Sequence, residues 1–192
     1  MKWLACILLL CSLTAGAVER FSVCYNYSCY STATVSFSKR QLHEVRDLLD
    51  DAVNAAQERA LIALAIGRLL GWAGKQSPIS ADKGGNYADD GVNGKMDCID
   101  HSTTTTLLLK MLARRGWLHW HRVLDPAMRT RFLIFDHWTA VIEEAPHAPY
   151  QDEHPFSRVR YAVDSWFNDN GKPAVAMPLD HWLDWEGPDA EQ

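Results

Sequence analysis

Cys98 is the cysteine of this chain that has no evident disulfide partner and is therefore a candidate for a chemical role. The chain has 192 residues and five cysteines. Cys6 and Cys11 lie in an apolar N-terminal stretch, and Cys24 and Cys29 are close enough in sequence to form a disulfide. Cys98 is then left over, which in an exported protein indicates a reactive thiol or an intermolecular bridge. It follows a glycine-punctuated loop and opens a helical pattern, where first-turn amides and the helix dipole stabilise a thiolate.

A thiol nucleophile needs a general base and an acceptor that orients that base. His137 lies in the middle of a strand-like segment, and Asp164 lies near the end of the next one. If these strands are neighbours, the two side chains lie side by side and face Cys98 at the helix tip. Asp136 is the alternative orienting residue, but adjacent residues on a strand point to opposite faces. We therefore predict a catalytic set of Cys98, His137 and Asp164.

Three fragments in this order resemble the transglutaminase-like branch of the papain-type thiol enzymes. They are Asp-Cys-x-Asp-His from residue 97, His-Trp-Thr-Ala-Val-Ile from residue 137, and Ala-Val-Asp-Ser-Trp from residue 162. The resemblance spans residues 97 to 170. With the N-terminal helices, signal peptide and modest size, the chain looks most similar to bacterial transglutaminase-like cysteine proteinases. This implies a papain-like core, with the cysteine at a helix N-terminus and the histidine and aspartate on successive strands.

The preferred function is acyl transfer at amide bonds of a protein or peptide, with hydrolysis favoured over protein crosslinking. The Cys98 backbone N–H would hold the oxyanion, helped by a side-chain donor such as Asn86 or Asn93. The alternatives are a crosslinking transglutaminase and a non-catalytic binding or scaffolding domain of the same fold. In the second alternative, Cys98 is a small buried hydrophobe and His137 is an ordinary strand histidine.

Two metal sites remain open from the sequence, although neither is part of the predicted reaction, which needs no metal or cofactor. The first is a zinc site from one cysteine and three histidines, namely Cys98, His101, His119 and His121. The second is a calcium site in the loop from Ser77 to Asp97. Its candidate ligands are four aspartates, namely Asp82, Asp89, Asp90 and Asp97.

The first residues predict export. A single lysine precedes an apolar run that ends in Ala15-Gly16-Ala17, so residues 1–17 are predicted to be a signal peptide and the protein to be periplasmic or secreted. Residues 18–37 would form a disulfide-containing segment and residues 38–192 a single domain. The net charge of −5 argues against a nucleic-acid surface. No membrane anchor is expected, because the apolar run is too short to span a bilayer comfortably.

The elements that position the candidate residues predict an α+β fold, with N-terminal helices and a cysteine-bearing helix packed on a small antiparallel sheet. The predicted elements are a strand at 30–37, one long helix or two joined near Asn54, a long loop, a helix at 98–115, and three strands at 117–124, 131–143 and 158–167.

Overall fold

The structure is a computed structural model that describes residues 19–86, 89–132, 134–145 and 159–188. The predicted signal peptide lies outside these residues. The described chain is α+β, with four α-helices, a two-stranded antiparallel sheet and a five-stranded antiparallel sheet. In chain order the elements are β1 (Glu19–Tyr25), β2 (Ser31–Phe37), α1 (Lys39–Asp50), α2 (Ala55–Gly74), a 3-10 helix (Pro78–Ala81), α3 (Cys98–Arg114), β3 (His121–Val123), β4 (Ala127–Arg131), β5 (Phe135–Glu144), β6 (Arg160–Asp164), β7 (Val175–Pro178) and α4 (Leu179–Leu183).

The N-terminal helical region consists of two helices, because each has its own N-cap. Ser38 accepts a hydrogen bond from the Gln41 amide at 3.2 Å, and the Gln41 side chain binds the Ser38 amide in return. Asn54 accepts from the Gln57 amide at 2.9 Å. A side-chain oxygen at these positions satisfies first-turn amides that no helical carbonyl can reach. Of the two predicted arrangements, the break near Asn54 is the one observed.

Helix α3 is the centre of the fold. It packs against β1 of the small sheet, against β3, β5 and β6 of the larger sheet, and against α2. The helical spacing of this segment predicts an apolar face of Leu107, Leu108, Met111 and Leu112. In the structure Leu109 is fully buried, whereas Leu107 is 40% exposed. Because α3 contacts strands of both sheets, its first residue, Cys98, has a fixed position relative to both sheets.

The five-stranded sheet has the order β3-β5-β6-β7, and β4 also pairs with β5. The predicted strand at 131–143 corresponds to β5, which forms a hairpin with β4 through a turn near Phe132, a residue with a positive φ of 52°. The strand predicted at 117–124 is limited to β3, and the one at 158–167 to β6. Strands β1, β4 and β7 and helix α4 have no counterpart among the predicted elements. Among the described residues, no helix has the length and apolar character needed to cross a bilayer.

A test of helix packing is available at Gly67. A Cβ there would lie 2.2 Å from the carbonyl oxygen of Lys172, where a backbone contact leaves little room to move. We expect Gly67→Ala to destabilise the protein by about 2 kcal/mol, as overpacked cores do. Gly74→Ala is the matched control, because its Cβ would meet Ser80 at an ordinary 3.6 Å and the helix would gain stability. Thermal unfolding that ranked the two variants equally would contradict this packing.

Candidate active site

The side chains of His137 and Asp164 meet because of the strand register. Strand β5 pairs with β6 so that Ala140 lies opposite Val163. One step along the ladder, Asp164 would lie opposite Thr139, and His137 shares the face of Thr139. His137 and Asp164 are therefore diagonal neighbours on one face, a relation within reach of long side chains. Their atoms Nε2 and Oδ2 lie 2.7 Å apart, and both side chains are almost fully buried.

Aromatic rings surround this pair. The imidazole of His137 lies 4.9 Å from the ring centroid of Trp166 and 5.6 Å from that of Trp182. The indole Nε1 of Trp182 donates to Asp164 Oδ2 at 3.0 Å, and the Trp166 amide donates to Oδ1 at 3.1 Å. Asp164 thus accepts hydrogen bonds from side chain and backbone while water is excluded. A carboxylate with these donors is suited to hold an imidazole in one orientation.

Trp182 is itself held in place by a buried arginine. The guanidinium of Arg129 lies 4.3 Å from the Trp182 ring centroid and 4.0 Å from that of Trp185. It also donates to the Trp182 carbonyl. Because Arg129 pairs with His137 in the β4–β5 ladder, the hairpin fixes the imidazole and the indole that covers it. Sequence analysis missed Trp182, because its contacts come from α4, an element with too few residues to show a periodic pattern.

The Cys98 thiol lies against the backbone of β5. Cys98 is half-buried at the first position of α3. Its Sγ lies 3.7 Å from the carbonyl oxygen of Asp136, and the Trp138 amide is near enough to lower the pKa of the thiol. These two residues flank His137 in the chain. Helix α3 and strand β5 thus bring the thiol to the strand segment that carries the histidine.

The electrostatic surroundings of the thiol differ from the sequence-based expectation. Burial raises the pKa of Cys98 to about 11, and the charges of Asp97 and Asp164 act in the same direction. The backbone amides of Trp138 and Cys98 lower it, as expected at a helix N-terminus, but desolvation is the larger effect. A lone thiolate is therefore unfavourable here.

The disulfide segment docks directly on the start of α3. Cys24 and Cys29 are bridged, and the four residues from Asn26 to Cys29 all have positive φ. The amides of Tyr27 and Cys29 donate to Asp100 at 2.8 and 2.6 Å, and that of Ser28 donates to Asp97 at 2.9 Å. Successive amides in such a turn form a concave anion-binding surface.

Burial and the charge of Asp97 raise the pKa of Asp100 to about 6, while the amides of Cys29, Asp97 and Tyr27 act in the opposite direction. Asp97 and Asp100 also form the capping box of α3. Besides closing the predicted disulfide loop, the turn therefore holds Asp97, directly before Cys98, and Asp100, two residues after it.

Replacing both cysteines of the bridge tests this role. The closed loop is short, so we expect Cys24→Ser/Cys29→Ser to lose about 2 kcal/mol of stability from chain entropy. Chemical denaturation measures this loss. Because the amides of the left-handed turn bind Asp97 and Asp100, the double variant should also show faster amide hydrogen exchange at residues 27–29. Unchanged exchange there would show that the turn keeps its conformation without the bridge.

The alternative metal sites are not assembled. Within the described ranges, the one group of three or more potential ligands within reach of each other is Cys24, Cys29 and Asp100, whose sulfurs form the disulfide. The proposed zinc ligands diverge: His101 bonds to Asp82, and His121 bonds to Glu58.

The loop aspartates of the calcium hypothesis have partners of their own. Asp89 forms an ion pair with Lys95 at 2.8 Å, Asp82 bonds to His101, and Asp97 caps α3. The two asparagines considered as oxyanion donors also have partners in this region. Asn86 donates to Asp89, and Asn93 accepts from Asn26.

The rival orienting residue, Asp136, is exposed and accepts a hydrogen bond from Thr130. Of the two candidate carboxylates, Asp164 is the one bonded to His137.

Comparisons of this chain with family models, with curated proteins and with solved structures found no match.

Proposed function

We propose that this protein is a thiol enzyme that cleaves amide bonds of a protein or peptide through an acyl-enzyme intermediate. The single observation that carries the proposal is the buried bond between His137 of β5 and Asp164 of β6, with the Cys98 thiol lying against the backbone of β5 next to His137. The order of these residues and their elements also fits the resemblance to transglutaminase-like cysteine proteinases. The disulfide is compatible with an oxidising compartment, which supports a periplasmic or secreted location.

In the proposed reaction, Asp164 holds Nε2 of His137, so Nδ1 takes the proton from the Cys98 thiol. The resulting thiolate attacks the substrate carbonyl carbon, and the carbonyl electrons move to oxygen. First-turn amides of α3, including that of Cys98, stabilise this oxyanion. His137 then gives its proton to the leaving amine as the C–N bond breaks, which leaves a thioester on Cys98. Water, activated by the same imidazole, releases the acid and restores the thiol.

The same site is compatible with two alternative functions. If an amine replaces water in the second half, the enzyme crosslinks proteins instead of cleaving them. If Cys98 never ionises, the chain is a binding domain without chemistry. The raised pKa of the isolated thiol is the observation that favours the binding domain. The question is therefore whether His137 and Cys98 ionise as a pair.

The test is the rate of alkylation of Cys98 by iodoacetamide as a function of pH, followed by mass spectrometry on the Cys98 peptide. An unperturbed thiol titrates near about 8.5. We expect the wild type to react well below that value, because the imidazolium stabilises the thiolate. In His137→Ala, the midpoint should move up toward the value of about 11 that burial imposes. Superimposable profiles of the two proteins would refute an ion pair and favour the binding domain.

A further inference from the structure

A second chain of polar side chains lies inside the molecule, next to the candidate triad. The ring of His101 bonds through Nε2 to Asp82 Oδ2 at 3.0 Å and through Nδ1 to Ser165 Oγ at 2.9 Å. Ser165 Oγ in turn lies 2.8 Å from Thr105 Oγ1. All four residues are at most 5% exposed. The residue types are those of a hydrolytic triad, but their burial keeps this serine away from any substrate.

The hydrogen-bond partners give this chain a direction. The Asp82 carboxylate can only accept, so His101 donates to it through Nε2, and Nδ1 is then assigned as an acceptor. The Ser165 hydroxyl then donates to Nδ1, and the Thr105 hydroxyl donates to Ser165. Every donor in this arrangement has one acceptor. A buried network that is satisfied in this way is rigid and favours a single packing arrangement.

The ends of the chain are attached to the segments that carry the candidate catalytic residues. Asp82 Oδ1 accepts a hydrogen bond from the Met96 amide at 2.9 Å, two residues before Cys98. His101 lies in the first turn of α3, which Cys98 begins. Ser165 directly follows Asp164 at the end of β6. The chain therefore joins the loop before Cys98, the helix that carries Cys98 and the strand that carries Asp164.

We propose that His101, together with Asp82 and Ser165, is a positioning residue that sets the start of α3 against the end of β6. It would thereby fix the distance from the Cys98 thiol to the His137–Asp164 pair. This inference rests on the proposed function of Cys98. Its effect on rate can be large, because a displacement of about 1 Å at a reacting group costs on the order of 10²-fold.

The test compares two buried histidines. His101→Gln removes the ring that joins Asp82 to Ser165. The matched control is His121→Gln, because His121 forms an equally buried bond with Glu58 at 2.7 Å. His121 pairs with Glu144, at the far end of β5, about 20 Å along the strand from His137. Both variants should lower the melting temperature, so stability alone does not distinguish them.

The distinguishing readout is the pH profile of Cys98 alkylation, with turnover of an activated acyl ester as the second. We expect His101→Gln to shift the alkylation midpoint up toward that of His137→Ala and to reduce turnover on the order of 10²-fold. His121→Gln should keep the wild-type profile. Ser165→Ala removes only one hydroxyl group and should shift the alkylation midpoint in the same direction. It replaces His101→Gln in the test if that variant does not fold.

The failure of this inference differs from the failure of the proposed function. A wild-type profile in both His101→Gln and Ser165→Ala, with His137→Ala still shifted, would overturn the positioning role and leave Cys98 as the nucleophile. A profile that His137→Ala does not change would overturn both. An equal shift in His121→Gln would show that any loss of stability disturbs the thiol, which also overturns a specific role of His101.

Discussion

Cys98→Ser is expected to reduce turnover of an activated acyl ester on the order of 10³-fold or more while shifting the melting temperature by only a few degrees. The replacement is nearly isosteric, and the half-buried sulfur contacts the Asp136 carbonyl, to which a hydroxyl can also donate. The hydroxyl is a much weaker nucleophile at neutral pH. The folded state therefore changes little, whereas the first bond-forming step is lost.

The losses of turnover caused by substitutions of Cys98 and His137 should not be additive. His137→Ala should reduce turnover about as much as Cys98→Ser, and the double variant should be no worse than either, because a catalytic unit fails as a whole. Ser102→Ala is the control, since its hydroxyl lies in the same part of α3 and bonds to the Ile99 carbonyl. Full activity in Cys98→Ser, or a large fall in its melting temperature, would remove Cys98 from the role of nucleophile.

Asp164→Ala is expected to have the second largest effect, with a loss of about 3 kcal/mol of stability. Its carboxylate accepts from His137 at 2.7 Å, from the Trp182 indole at 3.0 Å and from the Trp166 amide at 3.1 Å. Each buried donor that loses its acceptor costs about 1–3 kcal/mol. The melting temperature of a chain of this size should fall by about 10 °C. Calorimetry measures both quantities.

Asp164→Asn separates charge from packing. The amide keeps an acceptor oxygen and the shape of the side chain, so the stability loss should be clearly smaller than in Asp164→Ala. Turnover should still fall on the order of 10⁴-fold, as in serine proteases when an amide replaces the orienting carboxylate and the imidazole tautomer is wrong. An asparagine variant that turned over normally would show that the His137–Asp164 contact only supports the fold.

The sequence predicted the parts of the fold that depend on local signals. The glycine-punctuated loop and the helical pattern after it predicted that α3 starts at Cys98, and a junction near Asn54 was one of the two arrangements expected for the N-terminal helices. The contact of His137 with Asp164 followed from two strand-like segments, because antiparallel neighbours place diagonal residues on one face.

Other parts of the site depend on contacts between residues distant in sequence. The turn from Asn26 to Cys29 has positive φ at tyrosine, serine and cysteine, which no local preference predicts. It is held by the disulfide and by the carboxylates of Asp97 and Asp100, some 70 residues away. The same applies to Trp182 above Asp164 and to the bond between His101 and Asp82. The residue types indicated that these polar side chains need hydrogen-bond partners when buried, but the sequence did not indicate which residues would be the partners.

Rapid-quench analysis with 4-nitrophenyl acetate tests whether Cys98 forms a covalent acyl intermediate. We expect a burst of about one equivalent of nitrophenol, an acetyl group on the Cys98 peptide that hydroxylamine removes, and neither in Cys98→Ser. An intact, folded protein that shows no burst and leaves the Cys98 peptide unmodified would contradict this expectation.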